Sequence, residues 1–279
     1  MPTLVFPAGP TFPVFGGAPS ISAMLDINGG CALPCLWGLV PGATDWQFLH
    51  EFNSRVETAA SAEGAYFHVS EASTKEGATS IVLISGESRL NASADYRMSQ
   101  GRVQSIVASF SAGREQRVGS EVVEARATYG DPEYIQQFRA YLLASVLRQH
   151  GVPAQVLVQP IQYDRHSEDL IKIALVYPAS RFFIEYTLPK EVRGNDFVGC
   201  PSQVGEISIV AWSSQPELQM QDIARLNLGL PTQESLADYY NPLPLEEAAS
   251  ITLDEFYEIF VNDTGRNCLA TPSALWPYP

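Results

Sequence analysis

The residues whose types and spacing could do chemistry are the four cysteines, Cys31, Cys35, Cys200 and Cys268. Thiolates in a C-x3-C arrangement form a soft pair that suits Cu(I), so Cys31 and Cys35 could carry copper if they stay reduced. Oxidised, the same pair closes a tight loop, and Cys200 with Cys268 would staple the C-terminal third. Four cysteines allow three connectivities. Their even number, in a chain with lysine only at positions 75, 172 and 190, fits two disulfides and an oxidising, extracytoplasmic compartment. Cys200 and Cys268 lack the paired short spacings of a zinc site, and no metal site or cofactor is expected.

Other reactive types are dispersed. His50, His68, His150 and His166 share no local motif. His166 lies in the polar run Asp164-Arg165-His166-Ser167-Glu168-Asp169, so an extracytoplasmic hydrolase with a triad assembled from distant residues is the enzyme alternative. There is no G-x-S-x-G elbow, no Walker A loop and no G-x-G-x-x-G, so no catalytic residue is assigned. Asn91-Ala92-Ser93 and Asn262-Asp263-Thr264 fit the glycosylation sequon. A net charge of −14 leaves no basic face for nucleic acid and disfavours anionic membranes. No apolar run approaches the ~20 residues of a spanning helix, so no transmembrane segment is expected.

The elements that position these residues begin with Cys31-Ala32-Leu33-Pro34-Cys35-Leu36-Trp37-Gly38-Leu39-Val40-Pro41-Gly42. Such density of proline and glycine makes a fixed-shape junction rather than a regular element. Trp37 and Trp46 would be its rigid anchor, structural by default and an interaction site only if exposed. Thr44 or Asp45 offers an N-cap to the helix that follows. Residues 1–30, rich in proline and glycine but without the charged and apolar regions of a signal peptide, read as a stalk or linker. A removed signal or an upstream lipid anchor is expected ahead of it, or else a chain start that lies further upstream.

Residues 45–60 carry Trp46, Phe48, Leu49, Phe52, Val56 and Ala59 at helical spacing. Strands are expected at 66–69, 80–84, 94–98 and 102–110, the last two joined at Gln100-Gly101. The order then restarts, with helices over 122–129 and 133–149 and strands over 154–163, 170–177, 182–188 and 206–212. Helices over 216–228, 245–249 and 253–262 follow, the last capped by Thr252 with Glu255 three positions on. The tail would fray unless Cys268 tethers it, and Trp276 and Tyr278 either dock a partner or pack beside that tether. The expected fold is α+β, with two tandem helix-plus-antiparallel-sheet halves and a helical C-terminal extension. The boundaries are 1–30 for the stalk, 31–112 and 113–213 for the halves, and 214–279 for the extension.

The run from Cys31 to Trp46 resembles the C-x-L-P-C-W-x-G-I-x-P-G-x-T signature of uncharacterised exported proteins and lipoproteins from environmental bacteria. Tyr129-Gly130-Asp131-Pro132-Glu133-Tyr134-Ile135, Val176-Tyr177-Pro178 with Ile184-Glu185-Tyr186, Cys200 and Cys268-Leu269-Ala270-Thr271-Pro272 extend the likeness over residues 31–276. Leu36 stands where that family usually has Trp directly after the second cysteine. The helix-then-strands unit is also similar to outer-membrane assembly lipoproteins and tandem-repeat β-lactamase-inhibitor domains, which are binding modules. The resemblance implies non-catalytic binding at the cell envelope, with a protein or envelope polymer as partner.

Overall fold

Helix α1 (Trp46–Glu63) begins where the junction supplies a cap: Asp45 Oδ1 accepts from the Phe48 N–H at 2.8 Å. Thr44, the other candidate, turns its hydroxyl back to accept from the Val40 N–H. Leu49, Phe52, Val56, Ala59 and Ala60 are buried, on the face that the spacing predicts. The computed structural model describes residues 28–63, 66–70, 77–84, 90–118, 121–127, 130–161, 169–213 and 242–276. The helix expected over 216–228 lies outside them.

An antiparallel meander follows, of β1 (Tyr66–Ser70), β2 (Gly77–Ile84), β3 (Leu90–Ser99) and β4 (Arg102–Val118). Gln100 and Gly101 join β3 to β4 with φ of 52° and 73°, a two-residue turn whose hand matches the strand twist. Burial in β3 alternates strictly, with Leu90, Ala92, Ala94, Tyr96 and Met98 facing the core. β4 runs unbroken across the boundary drawn at 112, and its far end pairs with β5 (Glu121–Ala127). The helix expected over 122–129 is therefore a strand through Ala127. Val122 and Val123 are β-branched, and a segment this short barely repays helix nucleation, whereas the end of β4 offers a ladder interrupted only by a register shift at Gln116/Arg117.

The single helix expected over 133–149 is broken in two. Asp131 caps α2 (Pro132–Gln137), accepting from Glu133 and Tyr134, and Pro132 opens it at the position where no N–H is needed. A 3₁₀ turn over Arg139–Tyr141 and an extended Leu142 separate α2 from α3 (Leu143–His150). Packing explains the break. Phe138 and Tyr141 both lie against Phe110, with ring centres 4.9 and 4.8 Å away. The Ser145 N–H turns to Leu142 O, which leaves the Tyr141 carbonyl to accept the Tyr186 hydroxyl at 3.0 Å.

β6 (Gln155–Ile161), β7 (Leu170–Tyr177) and β8 (Phe182–Pro189) form a second meander. The chain then makes β9 (Glu191–Arg193) and β10 (Asp196–Gly199) before β11 (Glu206–Trp212) returns between β8 and β4. The main sheet runs β1-β2-β3-β4-β11-β8-β7-β6-β12, with β12 (Leu243–Pro244) on its edge. A small second sheet pairs β9, β10 and β13 (Leu269–Pro272). It sits so close that a side chain at Gly199 would run into Ile171 Cγ2 and Leu188 Cδ1.

The remaining described helices, α4 (Leu245–Ala249) and α5 (Leu253–Phe260), bury Leu245, Ala248, Phe256 and Phe260 in the same cluster as α1, α2 and α3. The fold is thus α+β, dominated by antiparallel sheet. No described helix is long and apolar enough to cross a membrane. Thr252 and Glu255 form the expected capping box on α5. Thr252→Ala should lower the unfolding free energy by about 1 kcal/mol, read from the shift of a urea-unfolding midpoint at unchanged slope.

Candidate functional site

The junction is built around a residue that composition assigned to the stalk. Asn28 is 2% exposed. Its Nδ2 donates to the carbonyls of Cys31 and Cys35 at 2.8 and 2.6 Å. Its Oδ1 accepts from the Trp37 N–H at 2.7 Å and from the Tyr141 hydroxyl at 2.6 Å. A carboxamide has two donor hydrogens and two acceptor lone pairs, so every one is used. Only the turn-forming run Asn28-Gly29-Gly30 marked the place in the sequence.

Cys31 and Cys35 are bridged. The copper-carrier alternative needs two facing thiols, which the bridged pair does not present. Trp37 is 6% exposed, stacked on Phe52 at 6.5 Å and edge-on to Phe110 at 5.9 Å. Trp46 is half-buried against the same cluster. Trp37 is thus a core residue, without the exposure that a docking anchor requires.

Cys200 and Cys268 form the second bridge, at the position next to the Gly199–Leu269 pair of β10 and β13. The tail beyond it is tied down: Trp276 Nε1 donates to Thr271 Oγ1, whose hydroxyl donates to Ala248 O. Trp276 packs on the core, and Tyr278 lies outside the described residues. Two bridges suit an oxidising compartment outside the cytoplasm.

The other face of the main sheet carries a different chemistry. The strand registers align Lys172, Thr187, Glu206, Ser111 and Asn91 in one row and Ala174, Glu185, Ser208, Ser109 and Ser93 in the next. A third row is apolar over Val176, Phe183, Val210 and Val107 and ends at Asp95. Trp212, Ser105 and Arg97 make the fourth. Towards β6 and β7 this face is closed. There Lys172 Nζ meets Glu185 Oε1 at 2.6 Å with side chains only 12% and 2% exposed. Towards β3 it opens: Ser93, Val107, Ser109 and Trp212 are half-exposed, and Asp95 and Arg97 are exposed. The arrangement offers hydroxyls, one indole and the exposed Asp95 and Arg97 on a gently twisted plane suited to binding, and on it the Ser109 hydroxyl donates to Glu206 Oε1 at 2.9 Å.

The described histidines, His50, His68 and His150, fall on separate elements. His50 is exposed on α1, His68 falls on β1, and His166 lies outside the described residues. His150, at the end of α3, packs against Tyr177 and Phe182 with ring centres 5.6 and 4.7 Å away. Burial lowers its pKa below 6.5. Burial also pushes the hydroxyls of Tyr134, Tyr141 and Tyr186 well above the usual tyrosine value, so they stay protonated donors. Among the described residues no three His, Cys, Asp or Glu side chains gather as a metal site. Asn91 of the first sequon is paired on both sides within the sheet, whereas Asn262 is exposed after α5.

No protein-family model, curated protein or solved structure matches the chain.

Asn28→Ala strands two carbonyls, an N–H and a hydroxyl, and should cost about 3 kcal/mol or more in chemical unfolding. His150 gives a pH dependence of defined sign. Its folded-state pKa lies below the unfolded value, so the unfolded chain binds the proton first. Its contribution is complete above pH 6.5 and fades as the pH falls from there to the folded-state value. Unfolding of His150→Gln should accordingly lose part of the wild-type slope in that acid window.

Proposed function

We propose that this protein is a non-catalytic binding protein of the cell envelope, secreted or anchored there, and that a protein or envelope polymer is its partner. The observation that carries the reading is the open part of the second sheet face, where half-exposed Trp212, Val107, Ser109 and Ser93 lie with exposed Arg97 and Asp95 on β11, β4 and β3. An indole over hydroxyls with a charged rim suits a flat partner surface or a sugar polymer. The likeness to exported bacterial proteins around Cys31–Trp46 belongs to the same proposal. So does the reading as two tandem halves, α1 with β1 to β4 and α2–α3 with β6, β7, β8 and β11. The edge-to-edge meeting of β4 and β11 supports that reading.

Cosedimentation with purified peptidoglycan sacculi, and crosslinking to an isolated envelope fraction, test this function. Combined Arg97→Glu and Trp212→Ala should cut retention at least tenfold while the melting temperature stays within a few degrees. Retention unchanged by that pair would remove the face from the proposal.

A further inference from the structure

We propose that the Cys31–Cys35 bridge is a thiol–disulfide exchange site whose reaction partner is a dithiol or its disulfide. The proposal does not rest on the binding face. Three observations point to it. Cys31 is half-exposed while Cys35 is buried, so only one sulfur can be approached. The Gly38 N–H points at Cys31 Sγ from 3.3 Å and the Asn28 carbonyl oxygen lies 3.1 Å from it, so the freed sulfur meets a donor as a thiolate and an acceptor as a thiol. The third concerns what holds the loop together.

A structural bridge is needed where nothing else fixes the chain. Here the Cys35 N–H donates to Ala32 O, Leu36 and Leu39 exchange two backbone bonds, and Asn28 grips the carbonyls of both cysteines. The loop therefore keeps its shape with the S–S bond open, and the two sulfurs stay poised to reclose. The bridge spans a separation of 4 residues, against 68 for Cys200–Cys268. The short bridge closes a loop that these bonds already hold, whereas Cys200–Cys268 ties the end of β10 to the C-terminal strand β13.

In the reductive direction a partner thiolate attacks Cys31 Sγ, forming a mixed disulfide as the bond to Cys35 breaks. Cys35 leaves as a thiolate and takes up a proton. The partner's second thiolate then attacks the partner sulfur of the mixed disulfide and releases the Cys31 thiolate beside the Gly38 N–H. Two electrons have passed to the bridge, and the partner ends as a disulfide. Oxidation runs the same steps backwards, with Cys31 as the nucleophile.

The oxidised full chain is titrated with dithiothreitol under native conditions, quenched with N-ethylmaleimide and peptide-mapped. Cys31 and Cys35 should be alkylated at roughly tenfold less reductant, or lower still, than Cys200 and Cys268, with the near-UV dichroism retained. Oxidised glutathione added to the reduced protein should form its first adduct on Cys31, and Cys35→Ser should trap it. Bridges that open together, opening only with loss of near-UV dichroism, or a first adduct on Cys35 would each overturn the proposal. Should Cys35→Ser fail to fold, the wild-type titration and adduct mapping still decide.

Discussion

The rest of the structure depends on one saturated carboxamide. Asn28 fastens the Cys31–Cys35 loop with two donated bonds and receives the Trp37 N–H and the Tyr141 hydroxyl in return. The Tyr141 carbonyl accepts the Tyr186 hydroxyl of β8, so one line of hydrogen bonds joins the junction, the broken helical segment and the middle of the sheet. Buried, each of these groups costs free energy if left unpaired, so the line is a constraint on geometry as well as a source of stability. It places Trp37 between Phe52 and Phe110, and Phe110 in turn receives Phe138 and Tyr141.

The second face of the sheet follows from register. In β4 an irregularity opposite Arg97 and Met98 inserts Gln104, so Val103 and Ile106 both reach the core while Ser105 points away. Gln104 is held by Ser213, whose N–H donates to its carbonyl and whose hydroxyl donates to its Oε1. This fixes the end of β11 beside β4 and brings Trp212 level with Ser105 and Arg97. At the opposite side of the face the Lys172–Glu185 pair lies diagonally across β7 and β8. Two buried charges are tolerable there because each neutralises the other at hydrogen-bond distance.

Much of the local structure was legible. The alternation of Ile171, Ile173 and Leu175 around Lys172 and Ala174 located β7 and told its two faces apart. Gln100-Gly101 located a turn, and Thr252 with Glu255 located a helix start, because each acts through atoms a few residues away. The misreadings share a cause. Residues 122–127 took the β4 ladder, and the segment after Asp131 broke at Leu142 to satisfy Phe110, Tyr186 and Asn28. The candidate face was illegible for the same reason, since Trp212, Ser105 and Arg97 are neighbours only through pairing.

By itself the sequence determined the α+β class, the α1 face, most strand positions and the suitability of the cysteines for disulfides. These properties are written in period, punctuation and residue type, and they act over one or two turns of chain. Only the tertiary structure decided which cysteines pair, that Trp37 is core, that β11 inserts between β8 and β4, and that Asn28 is the hub. Each of those joins residues far apart in the chain, and the free energy that selects them comes from burial and hydrogen bonding across the assembled sheet.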